Sequence, residues 1–508
     1  MAAFGSKRTL ALQTSFLRVG VNLLGAVALA AYAVLTVLSY VQVPVLWRNH
    51  GATPHAVAFF DDLATKFPLV GLSRLYETNA AIVISYCIPV GIITIAWIAL
   101  VAILYRREHT LDANLDALLM RWSVAFAVVC VLAFPLFTQD FWLSMAWGRM
   151  AAEGTNPYHN LFTDETLTGL PLDHFPMVMS YGPGWAVLSA VVMALTGKSL
   201  LASTILFKAV LLAAWLASLA LIRAMTAAKP ALDRCLAIVV AGWMPLGVLQ
   251  TVAEGHNDIF MVWLALMWLA LLGQGRWLAP IALMGSVLGK YVTAPLFLID
   301  VIVAWRLHGL AWRQLFVRYV GPGLLGIAVF GIFYRSPEFF DGTRVISEWE
   351  FLQPRHGIEA IELATGLDLL MLDRMTTAGF AVIALYSVYV LLRSPTLDNA
   401  TKAALAIMSA ISFVGIAHLW PWYLLWTVLL AALVPRWWLA RFVIGVTVLA
   451  AFSLSIWWVE PFENSKEWAS LVLYVGATLW CVLTRPSTLT GATARRPEEI
   501  AGGSFERP

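Results

Sequence analysis

The chain has 508 residues, of which 60% are hydrophobic and 12% charged, with a formal net charge of +3. Soluble domains carry about 25% charged residues, and the mean hydropathy here is +0.79. This excludes a soluble module of any size, and the lack of a Lys/Arg run excludes a nucleic-acid surface.

In chain order, residues Met1–Gly20 carry Lys7, Arg8 and Arg18 without a small-residue cleavage site, which predicts a cytosolic lead-in to the first span. Apolar stretches of spanning length then recur from Val19 to Leu483, predicting an all-α polytopic membrane protein. Basic clusters at Arg106/Arg107/Arg121, Arg223/Lys229/Arg234, Arg306/Arg313/Arg318, Arg393/Lys402, Arg436/Arg441 and Arg485/Arg495/Arg496 alternate with segments 45–79, 139–181, 253–258, 335–374, 418–423 and 459–467. By the positive-inside rule the basic set is cytosolic and the second set faces outward. Both termini then lie inside, and the number of crossings is even.

About 14 transmembrane helices fit the pattern. Residues 277–305 as one helix would run to roughly 43 Å against a hydrocarbon core of about 30 Å, so a break is expected near Lys290-Tyr291. Residues 403–434 are likewise too long, and Pro421 supplies their break. The short piece Trp185–Leu195 reads as an outer-face juxtamembrane helix, and Phe141–Ala152 as an amphipathic helix on the outer surface, with Arg149 and Glu153 as polar anchors. Cys87, Cys130, Cys235 and Cys481 have no zinc or disulfide spacing and read as packing residues. The chain divides into an N-terminal two-span element (1–119), a catalytic transmembrane module (120–334), an outer loop able to act as a lid (335–374), C-terminal spans (375–485) and a cytosolic tail (486–508).

Ionisable groups at the rim of a membrane helix are costly and therefore candidates for function. Asp140 follows the apolar run Trp122–Thr138, with Phe141 and Trp142 as neighbours. The string Glu254-Gly255-His256-Asn257-Asp258, Lys290 with Tyr291, and His418 with Trp422 and Tyr423 fall at the same outer ends of spans. Each has a plain structural alternative: a polar turn for 254–258, snorkelling for Lys290, interface anchoring for His418 and Tyr423. Their convergence at one depth favours a single site. Asp300 reads as a structural partner at the Arg306 end of its span. His256 and Asp258 could ligate a metal together with Asp140 or Glu254, but two residues do not define a coordination shell, so a divalent metal stays open without support and no other cofactor is expected.

At this point the motifs resemble the C-superfamily (GT-C) membrane glycosyltransferases, and within them the bacterial polyprenol-phosphate-mannose-dependent α-mannosyltransferases. The matching elements are Asp140, Trp147 through Arg149 to Asn156-Pro157-Tyr158, Tyr181-Gly-Pro183, Gly255 to Asp258, Gly289-Lys290-Tyr291 and Pro421-Trp-Tyr423-Leu-Leu-Trp426. The resemblance implies a GT-C-like fold in a bacterial inner membrane and a site facing outward. It also implies inverting transfer of one sugar, mannose foremost, from a polyprenyl-phosphate donor to a glycan or glycolipid acceptor, with Asp140 as general base. In that reading Lys290, His256, Asn257, Asp258, Glu254, Tyr291, His418, Trp422 and Tyr423 serve the donor, and Arg149, Asn156, Tyr158 and Tyr181 the acceptor or the loop. Two spans and segment 45–79 precede the family-like region, a departure from the usual pattern. The competing reading is a lipid-linked oligosaccharide flippase, which would place its polar groups near the bilayer midplane.

Overall fold

In hydrocarbon every backbone N–H and C=O must be bonded inside the protein, which leaves this apolar chain helix as its economical state. A computed structural model describes residues 2–49, 79–106, 114–135, 138–172, 177–197, 199–347, 350–453 and 466–484, with 62, 65 and 111 as isolated positions. Most of the expected outer segment 45–79, most of 459–467 and the tail 486–508 lie outside the described residues. Among the described residues regular structure is helical throughout, apart from one isolated bridge between Phe351 and His418.

The chain opens with α1 (Ala2–Asn49) and α2 (Asn79–Arg106), packed on each other and, through α1, on α3 (Leu115–Cys130). Next come α4 (Asp140–Ala152) and α5 (Pro183–Thr196), side by side, with the Trp185 indole donating to Ser144 Oγ at 3.0 Å. Gly148 permits this approach, because a Cβ there would strike the Ser189 carbonyl. The long α6 (Leu200–Met225) leads to α7 (Ala231–Gly242), which continues after a 48° bend as Pro245–Ala253. Pro245 is the residue that breaks it.

Two hairpins of short helices follow the breaks expected from length. α8 (Asp258–Gly273) packs along α9 (Ala279–Gly289), which stops at Lys290. After a 3₁₀ stretch over Tyr291–Leu296, α10 (Phe297–Arg306) returns, and His308 beyond its end meets the Leu272 carbonyl at 2.7 Å. The chain therefore reverses at Lys290-Tyr291. α11 (Trp312–Phe333), α12 (Pro354–Thr365) and α13 (Leu370–Arg393) come next. α14 (Leu397–Ala410) runs to a break spanning the π-helical turn 411–415 and Pro421, and α15 (Leu425–Leu433) comes back. Lys229 records this second reversal, since its Nζ meets Asp398 at 3.3 Å and the Leu433 carbonyl at 2.6 Å. α16 (Trp438–Ala450) and α17 (Lys466–Leu483) complete the described chain.

Five described helices are long and apolar enough to cross a bilayer: Ser15–Gln42, Ala81–Leu104, α6, α11 and α13; the bent pair 231–253 is a sixth. Shorter apolar helices are α5, α8, α9, the stretch Pro421–Leu433 and α16. Phe316, Ile327, Leu385 and Tyr386 on α11 and α13 are exposed, as lipid-facing side chains are.

The basic loops gather at one end. Arg223 pairs with Asp116 at 3.0 Å, Lys402 with Asp398 at 2.7 Å, and Arg436 with Asp233. Asp140, His256, Lys290 and Trp422 gather elsewhere. One expectation needs correction. α4 is not a surface amphipathic helix: Phe141 through Met150 are all buried, because α5 covers one side and its Trp, Met and Phe side chains occupy several faces. Asp300 is the structural ion-pair partner expected: its cation is Arg318 at 3.1 Å, and it also accepts from Tyr319 and Trp268, since α11 packs across α10.

Candidate functional site

Four breaks in the helices build the site. The first is the turn between the bent helix and α8. The π-helical stretch 249–253 ends in Gly255, whose φ of +80° is open to glycine and costly for other residues. His256 is folded back so that both its backbone N–H and its ring Nδ1 bond the Gln250 carbonyl, each at 3.0 Å. A carbonyl only accepts, so Nδ1 carries the proton and Nε2 presents a lone pair. Phe141 lies directly against Gly255, which brings the start of α4 onto this turn.

Asp140 is thereby set with Oδ2 3.7 Å from His256 Nε2, and 26% of its side chain remains exposed while His256 is fully enclosed. Burial pushes the Asp140 carboxyl up to about 6, against the downward pull of the Lys290 charge and a hydrogen bond from the Tyr181 hydroxyl. Burial pushes the His256 imidazole down to about 3. The pair therefore holds a carboxylate beside a neutral imidazole at neutral pH. A proton arriving on Asp140 would find an acceptor in His256 Nε2, which is buried without a hydrogen-bond partner.

The second break supplies the cation. Where α9 stops, the Gly289 carbonyl is released and taken by the Gly182 N–H at 3.0 Å. A Cβ on Gly182 would run into the Leu288 carbonyl, so glycine is what lets Tyr181-Gly182-Pro183 dock there. Lys290 then sits with Nζ 2.6 Å from Asp258 Oδ1, at the start of α8. Three aromatic rings enclose the ammonium: Tyr423 at 4.8 Å, Tyr181 at 5.2 Å and Trp426 at 5.5 Å from Nζ. Trp426 donates its indole N–H to the same Asp258 oxygen, leaving Oδ2 buried and without a partner.

The third break, 411–424, adds an aromatic wall. Trp422 stacks on His256 at 4.0 Å and Trp420 on Trp422 at 5.1 Å with rings 2° from parallel. Tyr423 stacks on Trp426 at 4.2 Å, and its hydroxyl lies 3.4 Å from His418 Nε2. The fourth is the gap between α3 and α4, held by Lys208 in the middle of α6. Its buried ammonium donates to the carbonyls of Ala133, Val252 and Ala253 at 2.5, 3.2 and 2.8 Å. One side chain thus ties the segment before Asp140 to the turn before His256.

The structure therefore brings together Asp140, His256, Asp258, Lys290, Tyr181, Trp422 and Tyr423, with Asn257 buried in the same turn and His418 beside Tyr423. Other candidates lie apart. Glu254 lines a small cavity with Ser39, Gln42 and Tyr86, and the nearby cation is Lys208. Tyr291 turns to Phe330 and Phe340, each at 5.9 Å. Arg149 is no surface anchor: it is buried and donates to the Thr166 and Thr168 carbonyls. Asn156 donates to the Phe333 carbonyl at 2.7 Å, and the Tyr158 hydroxyl to the Tyr181 carbonyl at 2.8 Å, so both hold the loop that presents Tyr181. Lys208, Gln250 and the partnership of Trp426 with Asp258 were not anticipated, although a lone lysine inside an apolar span is itself a signal.

The arrangement offers one carboxylate tuned to gain a proton, one caged ammonium, and aromatic walls suited to a sugar or an isoprenoid. Comparison with known proteins fits that chemistry. A profile described as alpha-(1->6)-mannopyranosyltransferase, N-terminal domain, matches residues 49–307. Alpha-(1->6)-mannopyranosyltransferase A of Mycobacterium tuberculosis (strain ATCC 25618 / H37Rv) is 23% identical over 441 residues, which is 80% of this chain and 82% of that protein. Alpha-(1->6)-mannopyranosyltransferase B of Corynebacterium glutamicum is 33% identical over 91 residues, 17% of this chain and 15% of that one. The chain belongs to the alpha-(1->6)-mannopyranosyltransferase family, a membrane glycosyltransferase group of the C superfamily.

Proposed function

We propose that this mannosyltransferase family member moves one mannose, with inversion, from a polyprenyl-phosphate carrier to a hydroxyl of a glycan or glycolipid. The site would open on the outer face of a bacterial cell membrane, both termini lying in the cytosol. Asp140 is the general base. The acceptor oxygen gives its proton to Asp140 as it bonds the anomeric carbon, and the bond from that carbon to the phosphate oxygen breaks on the opposite face. The departing phosphate gains one negative charge, which the Lys290 ammonium balances from its aromatic cage. No second acid is needed, because phosphate already leaves readily.

The observation that carries this reading is the partly exposed Asp140 carboxylate, held 3.7 Å from an unprotonated His256 nitrogen. A base of that kind contributes about 10²- to 10⁴-fold to transfer. Its partner, held neutral, keeps the acquired proton close without competing for it beforehand. An outward-facing site is supported by the charge pattern, since the basic loops meet in ion pairs at the end away from Asp140.

The test is to incubate membranes containing the protein with radiolabelled polyprenyl-phosphate mannose, and separately with the glucose and arabinose analogues. Label should move to glycan from the mannose donor. Transfer from a soluble nucleotide-mannose alone, with the lipid donor inert, would reject the reading.

A further inference from the structure

Apart from the Asp140 site, a pocket of about 320 Å³ opens between the start of α12, the start of α13 and the turn 411–417. That is within the range of small-molecule sites, roughly 300–1,000 Å³. Its rim carries exposed Glu350 and Arg355, and its floor is polar and unsatisfied. His356 is buried; its Nδ1 accepts the Gln353 backbone N–H at 3.0 Å, so Nε2 carries the proton. That Nε2 has no hydrogen-bond partner, and the nearest charged oxygen, on Glu350, is 3.7 Å away. The Gln353 Oε1, also on a lining residue, is likewise buried and without a partner. Buried polar atoms left unpaired cost about 1–3 kcal/mol each. Such a floor is better explained by a ligand with its own donors and acceptors than by packing.

The pocket is joined to the Asp140 site by a run of stacked rings. Phe351 stacks on Trp420 at 4.4 Å, Trp420 on Trp422, and Trp422 on His256. The bridge between Phe351 and His418 fixes this register, with the Leu419 N–H donating to the Phe351 carbonyl at 2.6 Å. Leu352 is held at φ 47° between Phe351 and a Tyr474 hydroxyl bonded to its carbonyl at 2.9 Å. A leucine in the left-handed region persists only where its surroundings over-determine it.

Charge selects the ligand. Among the described lining residues Glu350 and Asp373 face one cation, Arg355, itself paired with Glu350 and Glu359, which disfavours a phosphate, and the polar lining disfavours an isoprenoid. A neutral polyhydroxyl chain suits donors and acceptors mixed at this density. We propose that this pocket is an acceptor subsite holding a sugar residue of an oligosaccharide chain, remote from the residue being glycosylated, an assignment that rests on the transfer reading above. The stacked rings keep it at a fixed span from Asp140, so acceptor length becomes something the enzyme can measure.

The experiment uses the full chain in lipid nanodiscs with α-(1→6)-linked mannose disaccharide and hexasaccharide. Calorimetry without donor should show tighter binding of the hexasaccharide. The double variant Glu350→Gln, Thr376→Val removes rim contacts and leaves Gln353 and His356 themselves in place, with Thr376→Val alone as the control for the lost Glu350 charge beside His356. The ratio of kcat/KM for hexasaccharide over disaccharide should fall about tenfold, the worth of one charged hydrogen bond. An unchanged ratio, or hexasaccharide binding no tighter than disaccharide in the wild type, overturns the subsite. Wild-type protein that binds the hexasaccharide more tightly than the disaccharide but transfers no mannose overturns the transfer reading and leaves an oligosaccharide site without an acceptor role.

Discussion

Lys290→Met puts the electrostatics of the site under the most informative strain. Lys290 lies 2.6 Å from an Asp258 oxygen that is itself fully buried, and Trp426 is that oxygen's other donor. Removing the lysine leaves a buried carboxylate with an unpaired charge, which costs about 3–5 kcal/mol when one partner of such a pair is lost. The double variant Lys290→Met, Asp258→Asn removes both charges, keeps an acceptor for Trp426, and should return the stability to within about 1 kcal/mol of wild type, with the thermal midpoint recovering accordingly. Transfer should not return with it, because the developing phosphate charge would still lack its cation. Thermal unfolding of purified protein read by tryptophan fluorescence, alongside transfer rates, separates the two roles. A double variant that regains both stability and activity would refute the phosphate role. A single variant as stable as wild type would refute the ion-pair reasoning.

Three further outcomes follow from the same geometry. Lys208→Met strands three buried carbonyls, of Ala133, Val252 and Ala253, and should cost about 3 kcal/mol or more, visible as a lower unfolding midpoint. Gly182→Ala sets a methyl against the Leu288 carbonyl, which is backbone and cannot step aside; about 1–3 kcal/mol is lost and KM for the lipid donor rises as Tyr181 leaves Lys290. With Asp140 titrating at about 6 and active when ionised, kcat/KM should be level above pH 7 and fall about tenfold per unit well below pH 6. His256, held down to about 3, adds no limb between pH 4 and 9. A rate that rises as pH falls through 6 would contradict the assignment.

What could be read from sequence was whatever the membrane makes costly. Asp140, His256, Asp258 and Lys290 stood out because ionisable groups at span ends are rarely tolerated without purpose, and these four converge. The reversals at Lys290-Tyr291 and around Pro421 were legible from length alone, since one straight helix would overshoot the bilayer. Pairings across long separations were hidden: Trp426 and Asp258 stand 168 residues apart, and nothing local marks their contact. Orientation was hidden as well. Glu254 adjoins Gly255 and His256 in sequence, yet it faces a different cavity, because Gly255 turns the chain between them. Hydrophobic periodicity misread α4 for a related reason: its bulky residues occupy several faces, and only the packing of α5 shows that it is enclosed. Arg149 looked like an anchor because an arginine among apolar residues usually reaches water, whereas here two loop carbonyls take its place.

The most direct test is single-turnover transfer by the purified Asp140→Asn protein, supplied with labelled polyprenyl-phosphate mannose and an oligosaccharide acceptor across pH 5–8. Asparagine fits the same space and relieves a buried charge, so the fold should persist while the rate drops by about 10²- to 10⁴-fold and the limb near pH 6 disappears. Transfer at the wild-type rate, with the same pH limb, would show that another group takes the acceptor proton.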